Sequence, residues 1–320
     1  MNIRMEEAPP AVARYLSYKL SIQGASEKTV YEYSLDLYNF FRYVFFKDVP
    51  ETEHVDLSSL TDEEIGSVPS QKIYEYLLYS ATQKRNGNAS RARKLSAIKG
   101  LYKFLASKEK SIADNPAKDI DAPSVKQALP KFLSEDESRK LLQTVKEFGG
   151  KNEKRDFAIL ALFLNCGMRV SELCGISLPD LSADVSQVIV TGKGNKQRLI
   201  YLNSSCQNAL LAYLEERKNI PCKDEKALFV SRNQKRLSVK TVQWLVYKYL
   251  DLAGLGDQGY SVHKLRHTAA TLMYGTGKVD VRVLKDILGH EQLNTTQIYT
   301  HVSDEQKKKA MSENPLSDEK

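Results

Sequence analysis

Six residues of this sequence could together break a phosphodiester without a metal ion: Arg169, Lys193, His263, Arg266, His290 and Tyr299. The tyrosine hydroxyl would attack, while the cations hold the phosphate and stabilise its growing charge. Four of the six fall in His263-Lys264-Leu265-Arg266-His267, Leu288-Gly289-His290 and Tyr299-Thr300-His301. His263 and Arg266 are three apart, so a helix puts them on one face. His267 lies four residues after His263, a spacing that also suits zinc. The helical zinc-peptidase motif needs a glutamate directly after its first histidine, and Lys264 stands there, so His267 is read as structural. Arg169 follows an apolar run and Gly167; its planar fork matches two phosphate oxygens. An arginine against a core equally needs an acid, and Glu172 is at hand. Lys193 belongs to Gly192-Lys193-Gly194-Asn195-Lys196, where a lysine is ordinarily just solvated. On a hairpin it can also reach a DNA groove and give a proton to a leaving oxygen.

These side chains need a scaffold, and the pattern predicts one that is mainly helical with a small β-sheet. Residues 11 to 47 carry apolar positions at helical spacing, from Leu16 and Leu20 to Phe41 and Val44, with a break at Ser21 to Ser26 around Gly24. Residues 48 to 64 hold seven acids and no lysine or arginine, which reads as a solvated loop or the start of a helix. The charge then reverses: Lys84 to Lys110 holds nine lysines and arginines against Glu109. Leu95, Ile98, Leu101, Tyr102 and Leu105 form an apolar stripe there, and Arg93, Lys94, Lys99 and Lys103 are the candidate DNA-phosphate contacts. Pro123 and Pro130 argue for an extended linker. The expected division is a helical DNA-binding domain at 1–116, a linker at 117–130 and a catalytic domain at 131–320.

In the second domain Ser134 to Glu137 has capping-box character, and Phe157 to Cys166 is a nearly all-apolar core helix. Gln187 to Val190 and Arg198 to Leu202 read as strands of a hairpin with a Gly/Asn turn. Helices are expected at 204–217, 238–253, 261–274 and 279–288. The second of these, near Ser238 to Leu250, is a candidate base reader. The Lys307 to Lys309 region should begin as helix and fray.

Bulk properties agree with this division. A chain of 320 residues, 42% hydrophobic and 27% charged, supports two globular cores. A formal net charge of +7 favours a polyanionic partner. Residues 1–123 contain 17 basic and 17 acidic side chains, neutral overall but polarised. Cys166, Cys174, Cys206 and Cys222 lack zinc-type spacing and read as reduced thiols. With no signal core and no membrane-length apolar run, a cytoplasmic protein without membrane contact is expected. No metal and no cofactor are expected: there is no phosphate-binding Gly-Lys-Ser/Thr loop and no carboxylate cluster for two-metal chemistry.

The ordered motifs resemble the tyrosine recombinase/integrase family, closely its Xer-type bacterial members. Gly167-Met-Arg-Val-Ser-Glu-Leu173 is similar to the family's first arginine box, and Thr191-Gly-Lys-Gly-Asn-Lys-Gln-Arg198 to its lysine hairpin. His263-Lys-Leu-Arg-His267 with Leu288-Gly-His290 resembles the second box, and Thr295-Thr-Gln-Ile-Tyr-Thr-His301 the nucleophile segment. The resemblance implies a C-shaped two-domain clamp on double-stranded DNA. It implies that Tyr299 forms a 3′-phosphotyrosyl bond, Arg169 and Arg266 hold the non-bridging oxygens, and Lys193 protonates the 5′ oxygen. His263 would assist proton transfer, His290 would bond the phosphate, and Glu172 would orient Arg169. It further implies a Holliday junction and a homotetramer, or a heterotetramer with a second recombinase, whose C-terminal tails link neighbours.

Two alternatives stay open at this point. One is a type IB topoisomerase-like enzyme that nicks and religates; the other is an architectural DNA-binding protein without catalysis. Within recombinases, a Xer protein resolving chromosome or plasmid dimers, with a DNA translocase as partner, shares this chemistry with a mobile-element integrase. The short N-terminus leans toward a simple Xer or transposon enzyme, while the acidic 48–64 stretch exceeds the plain Xer pattern.

Overall fold

The computed structural model describes residues 7–124, 131–277 and 279–289. His290, Tyr299 and the C-terminal tail lie outside the described residues, and for Lys193 only the backbone is described. The chain divides into two compact units, Met1–Gln127 and Ala128–Lys320.

The first unit is a helical bundle. Helices α1 (Pro10–Ser21) and α2 (Glu27–Phe45) break where Gly24 takes a positive φ of 61°, a conformation open to glycine without strain. Ser26 caps α2 by accepting from the Thr29 N–H at 3.2 Å. A loop leads to α3 (Asp62–Gly66), α4 (Ser70–Thr82) and α5 (Asn88–Phe104). All five stripe residues of α5 and its final turn are buried to 1% exposure or less. Gly100 lets α5 approach α1: a Cβ there would stand 2.0 Å from the Tyr15 hydroxyl oxygen.

Two features differ from the sequence reading. The acidic 48–64 stretch is anchored rather than simply solvated: Val55, Leu57 and Leu60 are buried, Glu51 meets Tyr79 and Lys84, and Arg42 Nη2 donates to the carbonyls of Val49 and Pro50. The segment after 116 is not all linker, because Ala117 (0% exposed) and Ile120 (2%) fill the bundle's core.

The second unit surrounds the apolar helix α7 (Glu153–Cys166), packed by α6 (Glu135–Phe148), α9 (Ser204–Arg217) and α11 (Val262–Gly275). The Ser134 hydroxyl and Glu137 carboxylate complete the capping box of α6. A short helix α8 (Val170–Gly175) follows α7, and α10 (Val239–Leu252) rests on α6 and α8. Asp156 within α7 is buried, yet it accepts from Arg155 Nε at 2.8 Å and from the Tyr249 hydroxyl of α10 at 2.8 Å. Strands β1 (Gln187–Thr191) and β2 (Gln197–Tyr201) pair antiparallel, Val190 opposite Arg198. Their turn uses left-handed Gly194 (φ 71°) and Asn195 (φ 60°). Val188, Val190 and Ile200 point into the core, while Ile189, Leu199 and Tyr201 are exposed, the alternation expected of a half-buried hairpin. Helix α12 (Val281–Leu288) is capped by Asp280 and packs on α11. The architecture is mainly helical with a two-stranded sheet. No described helix is long and apolar enough to cross a membrane.

Candidate active site

Glu172 is the centre of the site. It is the third residue of α8 and reaches back to the Arg169 N–H at 2.8 Å, so it caps the helix that carries it. Its carboxylate has 0% side-chain exposure and gathers three arginines. Oε1 accepts from Arg169 Nη1 at 2.6 Å and from Arg198 Nη1 at 2.7 Å; Oε2 accepts from Arg198 Nη2 at 2.9 Å and lies 3.9 Å from Arg266 Nη1. Burial alone would push this carboxyl up. The bonds from Arg198, the Arg169 backbone and the Arg169 side chain outweigh it and hold Glu172 below the usual carboxylate range. It is therefore an anion among cations.

The same arginines close on the end of α12. A helix leaves its last carbonyls without intrahelical donors, and here three successive ones are taken by three arginines. Arg198 Nε donates to Ile287 O at 3.1 Å, Arg266 Nη2 donates to Leu288 O, and Arg169 Nη2 donates to Gly289 O at 2.9 Å. Arg266 Nη1 also donates to Gly167 O at 2.8 Å, and the whole side chain is only 2% exposed. Gly167 and Gly289 have positive φ, 59° and 63°. A Cβ on Gly167 would meet Leu288 at 2.8 Å, and one on Gly289 would meet the Arg198 guanidinium at 3.1 Å. Both glycines thus serve close approach as well as chain reversal.

His263 sits one helical turn before Arg266 on α11, exposed at the surface. Partial desolvation, then Arg266, Lys264 and Arg169, push its imidazole below the ordinary histidine value. It is neutral near pH 7 and can accept a proton. His267 packs edge-to-face on His263, ring centroids 4.8 Å apart, and is itself pushed down to about 4 by burial and by the neighbouring His263, Lys264 and Arg266. Its burial fits the structural reading. Among the described residues, no cluster of three or more His, Cys, Asp or Glu could hold a metal.

The structure brings Arg169, Glu172 and Arg266 together and places the Lys193 backbone in the adjoining hairpin turn. His290 follows Gly289, and Tyr299 lies beyond; both are outside the described residues. Sequence reasoning missed Arg198. It stood inside the hairpin motif, but nothing in its spacing tied it to a carboxylate 26 residues earlier.

The basic helix α5 distributes differently from a uniform phosphate stripe. Arg93 Nη1 lies 2.6 Å from Asp36 and 3.1 Å from Glu32, while Lys94, 12% exposed, lies 3.3 Å from Asp36. Asp36 is buried in α2, so Lys94 serves the core rather than the surface. Lys99 reaches the Lys118 carbonyl at 3.4 Å, and Lys103 is exposed. On α10, Lys240, Gln243, Trp244 and Tyr247 form an exposed face, Trp244 at 65%.

Comparison with known proteins decides the family. Residues 131–306 match the profile of the Phage integrase family, and residues 12–109 that of the phage integrase N-terminal SAM-like domain. The chain belongs to the phage integrase family. It is 44% identical over 317 residues to Tyrosine recombinase XerC of Caldanaerobacter subterraneus subsp. tengcongensis, covering 97% of this chain and 88% of that protein. The corresponding protein of Thermodesulfovibrio yellowstonii is 35% identical, covering 91% of each. In fold the chain is similar to XerH site-specific recombinase in its post-cleavage complex with palindromic difH substrate, with a TM-score of 0.72 at 23% identity, 94% of this chain and 84% of that one. This integrase-family chain is thus a Xer-type tyrosine recombinase, an enzyme, and neither the topoisomerase-like nor the architectural alternative is favoured.

Proposed function

We propose that this recombinase cuts and rejoins double-stranded DNA at a specific site through a 3′-phosphotyrosyl intermediate on Tyr299. The Tyr299 oxygen attacks the scissile phosphorus, and the bond from phosphorus to the 5′ oxygen breaks. Lys193 gives that oxygen a proton, so a free 5′-hydroxyl leaves. Neutral His263 takes up the tyrosine proton directly or through water. Arg169 and Arg266 hold the non-bridging oxygens, each donor of this kind being worth roughly 10²–10³-fold in rate, and His290 adds a hydrogen bond. Glu172 orients Arg169 and needs no contact with DNA. The phosphotyrosyl bond conserves the phosphodiester's energy, so rejoining needs no nucleotide cofactor.

One observation carries this reading: the buried carboxylate of Glu172 draws two arginine-box residues, far apart in sequence, toward the helix end that precedes His290. In this reading the first unit is the core-binding DNA domain and the second the catalytic domain, and each contacts the duplex. Four protomers, all alike or paired with a second recombinase, exchange strands through a Holliday junction. The reaction would resolve chromosome or plasmid dimers in the cytoplasm, with a DNA translocase as partner; integration or excision of a mobile element is the variant use of the same chemistry.

A nicked suicide substrate tests it. Wild type should leave a denaturation-resistant protein–DNA band without added metal, and Tyr299→Phe should bind the same DNA and leave none. A band that persists in Tyr299→Phe means that the nucleophile is another residue.

A further inference from the structure

Arg198 holds three elements at once. Its two Nη atoms grip both oxygens of Glu172 at 2.7 and 2.9 Å, a bidentate fork, and its Nε binds the Ile287 carbonyl at 3.1 Å. The side chain is 15% exposed. It therefore ties strand β2 to α8 and to the last turn of α12. Opposite it, Val190 leads through Thr191 and Gly192 into Lys193, and a Cβ on Gly192 would lie 3.2 Å from Glu172 Oε1. Both legs of the hairpin are thus registered on the carboxylate that Arg169 and Arg266 also face.

We propose that Arg198 is a positioning residue for departure of the 5′ oxygen: its fork on Glu172 fixes the hairpin so that Lys193 meets that oxygen. The inference rests on Lys193 being the proton donor. A side chain held by three directed bonds sets position tightly, and a misplacement of about 1 Å can cost 10²-fold in rate. A lysine in its place keeps the charge but cannot make the two-pronged bond or reach Ile287 at the same time.

The test uses DNA whose scissile 5′ oxygen is replaced by sulfur, because a thiolate leaves without being protonated. Full-length wild type, Arg198→Gln, Arg198→Lys and Lys193→Ala are compared in single-turnover adduct formation on ordinary and 5′-thio DNA. Duplex affinity and thermal melting are measured in parallel. On ordinary DNA both Arg198 variants should lose about 10²-fold, and on 5′-thio DNA they should return to within a few fold of wild type, as should Lys193→Ala. Recovery of Lys193→Ala without recovery of the Arg198 variants would overturn the inference and assign Arg198 to the phosphate-binding arginines or to folding alone. Failure of Lys193→Ala to recover would instead overturn the lysine as donor, and the inference with it. Full activity of either Arg198 variant on ordinary DNA also overturns it. If Arg198→Gln does not fold, Arg198→Lys decides.

Discussion

At the scale of single residues, the site is a problem in charge balance. Three guanidinium groups stand around one carboxylate, and the excess positive charge is spread onto the carbonyl oxygens that end α12. The histidines respond to the same field. His263 is depressed below 6.5 by desolvation and by Arg266, Lys264 and Arg169, so its neutral form persists as pH falls through 6.5. The rate of adduct formation should accordingly fall to half its plateau only below pH 6.5. A rate already halved at pH 6.5 would contradict this. His267 acts on stability in an adjoining window. Its folded value, about 4, is below that of the unfolded chain, so the unfolded state binds the proton first. Its contribution is complete above pH 6.5 and is lost progressively between there and about 4. Melting curves in the same buffers separate the two effects. The pairing of Arg169 with Glu172 was legible because both lie in one seven-residue motif. Arg198 was not, because its partner is set by the tertiary register of a hairpin rather than by spacing.

Elements were legible where pattern and punctuation agreed. Helix α2 shows its apolar period and its Ser26 cap, and α6 its capping box. The hairpin shows Gly194 and Asn195 between alternating strands. Helix α4 was passed over although Ile73, Tyr76, Leu77 and Ser80 are buried at helical spacing. It starts after Pro69 without a side-chain cap, and exposed Tyr74 and Leu78 blur its polar face. The packing of α1 on α5 was equally hidden, since a glycine within a basic helix says nothing about what it faces. There the Tyr15 hydroxyl is buried, with no hydrogen-bond partner among the described residues, against Gly100. Gly100→Ala should therefore destabilise the protein by about 1–3 kcal/mol, as an overpacked core does, despite alanine's better helix propensity. Adding Tyr15→Phe should recover part of the loss. Urea midpoints measure both, and a Gly100→Ala protein as stable as wild type would show that the helices can part freely.

At the scale of the whole molecule, charge is divided unevenly. The first 123 residues balance 17 against 17, leaving the formal +7 on residues 124–320. Within the balanced part, Arg93 and Lys94 face the buried Asp36, so Lys99 and Lys103 are the cations better placed for a duplex. Lys99→Glu with Lys103→Glu should weaken binding to every duplex and flatten the dependence of log Kd on log salt by about two units, roughly 0.9 for each phosphate no longer neutralised. Unchanged affinity would return that face of α5 to plain solvation. The two-domain division could be read from the chain length and from Pro123 and Pro130, but its edge could not: the packing of Ala117 and Ile120 appears only in three dimensions. The exposed face of α10 has a spectroscopic consequence. Trp244 is the single tryptophan of the chain, and it is 65% exposed. An indole already in water finds little new when the chain unravels, so its emission will follow melting poorly. A duplex laid across α10 would change that indole's surroundings at once. The protein therefore carries its own label for that face, and quenching during a DNA titration would report binding there without a dye.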